Sequence, residues 1–249
     1  MSAPPVRLRV LGCGDAFHSG GRLHASFLLS HPGGRLLLDC GATTLYALRQ
    51  AGIDPGSIGV ICISHLHGDH FGGLPFVLLD AMVNSRRSQP LTLVGPPGLA
   101  QRVRALMAAL YPGYQDRPTA FPLHYVALQA KTPFLEKGLH ILPVVAQHRA
   151  GPEPCFSLRV EVAGRVLAYS GDTGWHEGLP PLIQDAHLAL LECSLPHPPA
   201  DSHLDRETLQ QQAHRLQAQR ILLVHLGQSN LQHPQLPFPL AHDGLEVEV

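Results

Sequence analysis

Charge is scarce in this 249-residue chain. Only 15% of its residues are Asp, Glu, Lys or Arg, against about 25% in an ordinary domain. The 18 Lys+Arg and 19 Asp+Glu nearly cancel, for a net charge of -1. That balance excludes a protein whose whole surface serves as an electrostatic footprint for nucleic acid. Aromatic residues make up 6%, with a single Trp. No apolar run approaches the roughly 18 residues a membrane helix needs. The opening MSAPPVRLRVLGCG has no charged stretch followed by an apolar one, so a secretory signal is not expected and the cytoplasm is the expected compartment. Cys13, Cys40, Cys62, Cys155 and Cys193 are scattered, odd in number and without a CxxC pair. They read as reduced, buried thiols rather than a disulfide framework.

Histidine is the excess: 17 residues, against 8 Phe. Apolar residues, at 45%, suffice for a sizeable core in a chain of this length. Val6, Leu8 and Val10 alternate with Arg7 and Arg9, the pattern of a half-buried strand. A hairpin is expected over Ala25–Ser30 and Arg35–Asp39, split by His-Pro-Gly-Gly. Ile58–Ile63 is a continuous apolar run typical of a strand buried on both faces. Further strands are expected at Leu91–Val94, Leu139–Ala146, Cys155–Val162, Val166–Ser170, Leu188–Glu192 and Ile221–His225. Helices are expected at Thr43–Ala51, Gly98–Leu110 and Arg206–Ala218. Strands come in runs rather than in strict alternation with helices, which favours a two-sheet core with helices outside. No linker divides the chain, so residues 1–249 are expected to form one domain.

The chemistry concentrates in Ser64-His65-Leu66-His67-Gly68-Asp69-His70, at the end of the buried Ile58–Ile63 run. Three imidazoles and a carboxylate this close, among Gly68, Gly72 and Gly73, suit a first-row divalent metal. Three further candidates each follow an apolar run: His148, Asp172 in Tyr-Ser-Gly-Asp-Thr-Gly, and His225. A second Gly-rich segment, Gly12–Gly21, contains Asp15 and His18. It lacks the Lys-Ser/Thr of a nucleotide P-loop and reads as a tight turn, with His18 and His24 as weak candidates for a cleft wall.

The His-x-His-x-Asp-His motif, with His148, Asp172 and His225 in that order, resembles the metallo-β-lactamase-fold hydrolases over essentially the whole chain. The resemblance implies a four-layer αββα sandwich of α/β (α+β) class. It also implies two divalent metal ions, one on His65, His67 and His148 and the other on Asp69, His70 and His225, with Asp172 bridging. Zinc is the first expectation from the histidine-rich set, with manganese or iron as alternatives. A His at position 67 departs from the Glu of flavo-diiron proteins, which disfavours an oxygen- or nitric-oxide-reducing role.

Leu190-Leu191-Glu192-Cys193-Ser194, followed by Ser202-His203-Leu204-Asp205, is similar to a stretch of ribonuclease Z and related phosphodiesterases. That similarity implies that His203, oriented by Glu192, helps the leaving oxygen take a proton, while Asp69 orients or deprotonates the metal-activated nucleophile. Two departures limit it. Only residues 149–171 separate His148 from Asp172, too few for the long tRNA-gripping arm of ribonuclease Z, and His225 is followed by Leu-Gly-Gln-Ser-Asn rather than an Arg-Tyr contact. The expected substrate is therefore a small or cyclic phosphodiester, with nucleic acid not favoured and no membrane partner. The alternatives are an ester, thioester or lactone hydrolase of the same fold, an RNA-processing nuclease, or a non-catalytic metal-binding or DNA-uptake accessory protein. A homodimer is expected on base rate alone.

Overall fold

A computed structural model describes residues 5–197, 202–233 and 235–249. Thirteen strands form: β1 Arg7–Gly12, β2 Ser26–His31, β3 Gly34–Leu38, β4 Val60–Cys62, β5 Leu91–Gly95, β6 Leu123–Ala127, β7 Phe134–Glu136, β8 Leu139–Val145, β9 Phe156–Val162, β10 Arg165–Tyr169, β11 Leu188–Glu192, β12 Ile221–Val224 and β13 Glu246–Glu248. Seven α-helices accompany them among the described residues: α1 Thr44–Gln50, α2 Gly68–Phe71, α3 Leu74–Leu79, α4 Leu99–Leu110, α5 Leu179–Ile183, α6 Arg206–Gln212 and α7 Gln228–Leu231. One sheet runs β13-β1-β2-β3-β4-β5-β6 and the other β12-β11-β10-β9-β8-β7.

The layering follows from period-2 burial. In β3, Leu36 and Leu38 face the other sheet while Leu37 packs under the helices, and β4 divides Val60 and Cys62 from Ile61 in the same way. The inter-sheet core adds Leu8, Val10, Ile141, Leu158 and Tyr169. Leu48, Leu78 and Val103 bring α1, α3 and α4 against the first sheet, and Leu182 and Leu209 bring α5 and α6 against the second. The result is the αββα sandwich expected from the sequence. Both faces of β3 and β4 are covered, which explains their continuous apolar runs.

Several elements differ from the sequence expectation. The helix beginning at Arg206 ends at Gln212 and tightens into a 3₁₀ turn at Ala213–Arg215, short of Ala218. Strands β6, β7 and β13 and helices α5 and α7 were not expected: β6 is mostly exposed, and β7 and β13 span only three residues each.

The sheet directions position the site. β3, β4 and β5 are parallel, as are β10, β11 and β12. The carboxyl ends of these strands gather at one rim of the sandwich, where open α/β sheets place their ligands. Asp39, Ser64–His70, Ser170–Asp172, Glu192–Ser194 and His225 all follow those ends. The five cysteines are buried and unpaired. Among the described residues, no helix is long and apolar enough to cross a membrane.

Candidate metal centre

The His-x-His-x-Asp-His segment leaves β4, and His67 sits in extended backbone just before α2. The turn therefore sends His65 and His67 to one side, while the first helical residues carry Asp69 and His70 to the other. His148 arrives after β8, Asp172 after β10 and His225 directly after β12. The structure brings all seven side chains together in two groups that share Asp172. Donor atoms of His65, His67, His148 and Asp172 lie within 4.8 Å of one another, and so do those of Asp69, His70, Asp172 and His225.

The tautomer of each imidazole follows from its neighbours. His70 Nδ1 lies 2.7 Å from Asp39 Oδ2 and must donate, because a carboxylate only accepts. Ser64 Oγ gives its single proton to Asp39 Oδ2 at 2.8 Å, so His65 Nδ1–H donates to Ser64 Oγ at 3.1 Å. His148 Nδ1 donates to the Ser202 carbonyl at 2.5 Å. Ser194 Oγ gives its proton to its nearer acceptor, Glu192 Oε2 at 2.6 Å, so His225 Nδ1–H donates to Ser194 Oγ at 2.8 Å. In all four residues the Nε2 lone pair is left pointing inward.

With these imidazoles neutral, as metal binding requires, their Nε2 lone pairs bring no protons of their own into the space they face. His67 Nδ1 is 3.2 Å from His65 Nε2 and 3.1 Å from His148 Nε2. His70 Nε2 is 3.3 Å from both Asp69 Oδ2 and Asp172 Oδ1, and His225 Nε2 is 3.1 Å from Asp69 Oδ2. His70 Nε2 and Asp172 Oδ1 are buried and have no hydrogen-bond partner. Buried acceptors facing one another without donors are costly unless a cation lies among them. The donor set fits divalent metal.

The two groups differ in charge. Burial and the neighbouring His70 hold His65 well below the usual imidazole range, and burial lowers His148 to about 4. At His70 and His225 burial also opposes charge, but Asp172 with Asp39 at the first, and Asp172 with Asp69 at the second, outweigh it and raise both. Asp69 and Asp172 are lowered: burial works against them, and the imidazoles around them win. The Asp69–His70–His225 side is thus built to hold positive charge.

Glu192, Ser194 and His203 adjoin this side. Glu192 is fully buried at the end of β11 and accepts from the Thr173 N–H at 2.5 Å, Ser194 Oγ at 2.6 Å and His203 Nδ1 at 3.0 Å. Burial opposes a charge on His203, yet the Glu192 contact raises it to about 9. His203 is 25% exposed. With His67, Asp69, Asp172 and His225 it lines a cleft of about 730 Å³.

Asp39, Ser64, Tyr169 and Ser194 were missed as site residues at the sequence level. Asp39 takes Tyr169 OH at 2.6 Å as well as Ser64 and His70, and both Asp39 and His225 adopt left-handed backbone, with φ 56° and 53°. Such conformations cost about 1–3 kcal/mol each and persist where surrounding contacts enforce them. Asp39 and Tyr169 carry no local signal, because their partners lie far off in sequence, and the roles of Ser64 and Ser194 depend on contacts to those distant residues as well as to neighbours. Asp15 is buried beside the cleft and holds the turn of the Gly12–Gly21 loop. His18 and His24 stack on each other at 3.8 Å and are not among the residues lining the cleft.

Comparison with known proteins identifies the family and the fold. The model of the family described as anti-Pycsar protein Apyc1 matches residues 6–236. A ribonuclease Z of Clostridium beijerinckii is 38% identical over 101 residues, covering 41% of this chain and 32% of that protein. The match thus spans about a third of that relative's length. Among solved structures, human tRNase Z, short form, superposes with a TM-score of 0.78 at 25% identity, over 98% of this chain and 99% of that one. The metallo-β-lactamase fold protein YhfI of Bacillus subtilis gives 0.77 at 19% identity, over 98% and 100%. The αββα sandwich is the metallo-β-lactamase fold.

Proposed function

From a chain that belongs to the anti-Pycsar protein Apyc1 family, we propose a metal-dependent hydrolase of small or cyclic phosphodiesters, with two divalent cations as its cofactor. The observation that carries this reading is the pair of donor groups sharing Asp172, with a His203–Glu192 pair facing the same cleft. His65, His67 and His148 would hold one cation and Asp69, His70 and His225 the other, with Asp172 between them. The imidazole majority favours zinc over manganese or iron. When bound, two such ions supply Lewis acidity and lower the pKa of a water in the cleft.

The remaining work falls to the chain's own residues. Asp69 lines the cleft, where its carboxylate would orient the attacking water or take its proton. His203 is held by Glu192 through Nδ1, which leaves Nε2–H to protonate the departing alkoxide. With its pKa near 9, His203 carries that proton at neutral pH and remains a far stronger acid than an alcohol. Thr173 N–H and Ser194 Oγ fix Glu192 so that the imidazole is aimed before substrate arrives.

Substrate size follows from the cleft and from what surrounds it. Most of residues 149–171 form β9, β10 and their turn, which leaves no projecting arm to grip a folded RNA. A volume of about 730 Å³ lies within the range of small-molecule pockets. The ester, thioester and lactone alternative shares the metal groups but has less use for a positioned acid.

His203→Ala separates the two readings. Metal content should stay near wild type while turnover of alkyl phosphodiesters falls by about 10²–10⁴-fold, the usual worth of general acid catalysis. The loss should be much smaller on nitrophenyl phosphodiesters, whose phenolate leaves without help. Equal loss on both substrates, or a wild-type protein that opens lactones and leaves phosphodiesters intact, would overturn the proposal.

A further inference from the structure

The most exposed large apolar side chain among the described residues is Phe17, at 86%, and it lines the cleft that contains the metal-ligand cluster. A single exposed apolar side chain is ordinary on a protein surface; what sets this one apart is its place on the cleft wall. Its backbone is nonetheless firmly placed. Buried Asp15 accepts the N–H of Phe17 at 3.1 Å and that of Ser19 at 2.8 Å on Oδ1, and the hydroxyl of Ser19 at 2.7 Å on Oδ2. Gly20 N–H reaches Gln228 Oε1 at 3.0 Å, tying the loop to α7 across the cleft rim. His225 N–H binds the Cys13 carbonyl at 2.8 Å, joining the same loop to the end of β12. A loop with an ordered backbone therefore carries an exposed aromatic ring on the wall of the cleft that holds the metal-ligand cluster.

The cleft wall mixes two kinds of chemistry. The ionisable cluster His67, Asp69, Asp172, His203 and His225 shares it with the apolar residues Ala16, Phe17, Leu195 and Pro196, and Ser19, Gln228 and Ser229 add uncharged polar groups. Leu195 and Pro196 are half-buried. A substrate whose phosphate lies at the ionisable cluster therefore finds an exposed aromatic ring on the wall of the same cleft. We infer that Phe17 is a binding platform on which the planar base of a nucleoside phosphodiester stacks, making it a specificity-determining residue. The inference rests on the phosphodiesterase reading above for what lies at the ionisable cluster. It assigns the aromatic part of the wall, where stacking on a ring face needs no hydrogen-bond partner.

The test compares metal-loaded wild type with Phe17→Ala and Phe17→Tyr on two substrates. One is a nucleoside 3′,5′-cyclic phosphate, and the other is the same ribose cyclic phosphate with a methoxy group in place of the base. Aromatic stacking on a base is worth about a 5- to 150-fold change in affinity on truncation. Phe17→Ala should lower the preference for the base-bearing substrate by a factor in that range, through KM rather than kcat, and Phe17→Tyr should restore it. An unchanged preference, or equal loss on both substrates with an altered sedimentation coefficient, would overturn the platform and point to a subunit contact.

Calorimetric binding of a nucleoside 5′-monophosphate against ribose 5-phosphate keeps the two readings apart. If wild type hydrolyses neither cyclic substrate but binds the nucleotide more tightly in a Phe17-dependent way, the platform stands and the reaction falls. If both substrates are hydrolysed with the same KM in wild type, the reaction stands and the platform falls.

Discussion

Two buried carboxylates organise opposite flanks of the site, and they do it with the same device. Asp39, after β3, accepts a serine hydroxyl, and that serine accepts an imidazole N–H: Asp39–Ser64–His65. Glu192, ending β11, repeats the chain as Glu192–Ser194–His225. Each also takes a second imidazole directly, His70 on Asp39 and His203 on Glu192. The difference lies in what that second imidazole does. His70 is fully buried and turns its free nitrogen to Asp69 and Asp172, whereas His203 is partly exposed and lines the cleft. The Asp39 flank is a closed scaffold, sealed by Tyr169, and the Glu192 flank couples the same scaffold to a group that meets substrate. An orienting carboxylate is thus not catalytic by nature; the exposure of its imidazole decides.

Removing what the flanks share gives the largest effect. Asp172→Ala deletes the one carboxylate common to both donor groups. Metal content should drop in the purified protein, and activity should fall by about 10³–10⁵-fold, the equivalent of several kcal/mol of transition-state stabilisation. His65→Ala should lower metal content on one side only. Full stoichiometric metal in both variants, by elemental analysis, would remove these residues from the ligand set.

Neutralising each anchor in turn sharpens the contrast. Asp39→Asn and Glu192→Gln keep the shape and remove the charge. Orienting partners of metal ligands are typically worth about 10–100-fold in metal affinity or activity. Asp39→Asn should show its loss in metal affinity, because His65 and His70 both depend on it. Glu192→Gln should show most of its loss in turnover of poor leaving groups, a weaker copy of His203→Ala. Titration with a chelator-buffered metal series separates the two, and matching metal affinities in both variants would erase the distinction between flanks.

The sequence disclosed these flanks unevenly, for physical reasons. Burial on both faces writes a continuous apolar run, so β3, β4, β11 and β12 were readable, and with them the rim where the ligands collect. β6 is mostly exposed and carries no alternation, so nothing separated it from loop. His65 to His70 were conspicuous because four donors crowd into one turn. Asp39 looked like the polar end of a hairpin strand, since its partners Ser64, His70 and Tyr169 lie 25, 31 and 130 positions away. Ser64 and Ser194 stood inside quoted motifs, but a hydroxyl's role depends on which proton goes where, and only distances settle that. Phe17 could not be singled out, because exposure is a property of the folded rim.

The subtlest changes in the chain are the most discriminating. Ser64→Ala and Ser194→Ala each remove one hydroxyl between a carboxylate and an imidazole, leaving a buried N–H without its acceptor. A lost hydrogen bond of this kind costs about 1–3 kcal/mol where the group stays buried. His65 is fully buried, and among the described residues Ser64 Oγ is the one hydrogen-bond partner of its Nδ1, so Ser64→Ala should bear the full cost, chiefly as weaker metal binding. Ser194 serves two residues at once: its hydroxyl sits 2.8 Å from His225 Nδ1 and 3.5 Å from His203 Nδ1 while donating to Glu192. Ser194→Ala should therefore disturb both the metal side and the proton donor, lowering kcat for alkyl phosphodiesters more than metal affinity alone accounts for. Threonine at either position keeps the hydroxyl and should recover most of the loss. If Ser64→Ala and Ser194→Ala change metal affinity and kcat in the same proportion, the serines are equivalent packing elements. The coupling that distinguishes the Glu192 flank then lies in the His203–Glu192 contact alone.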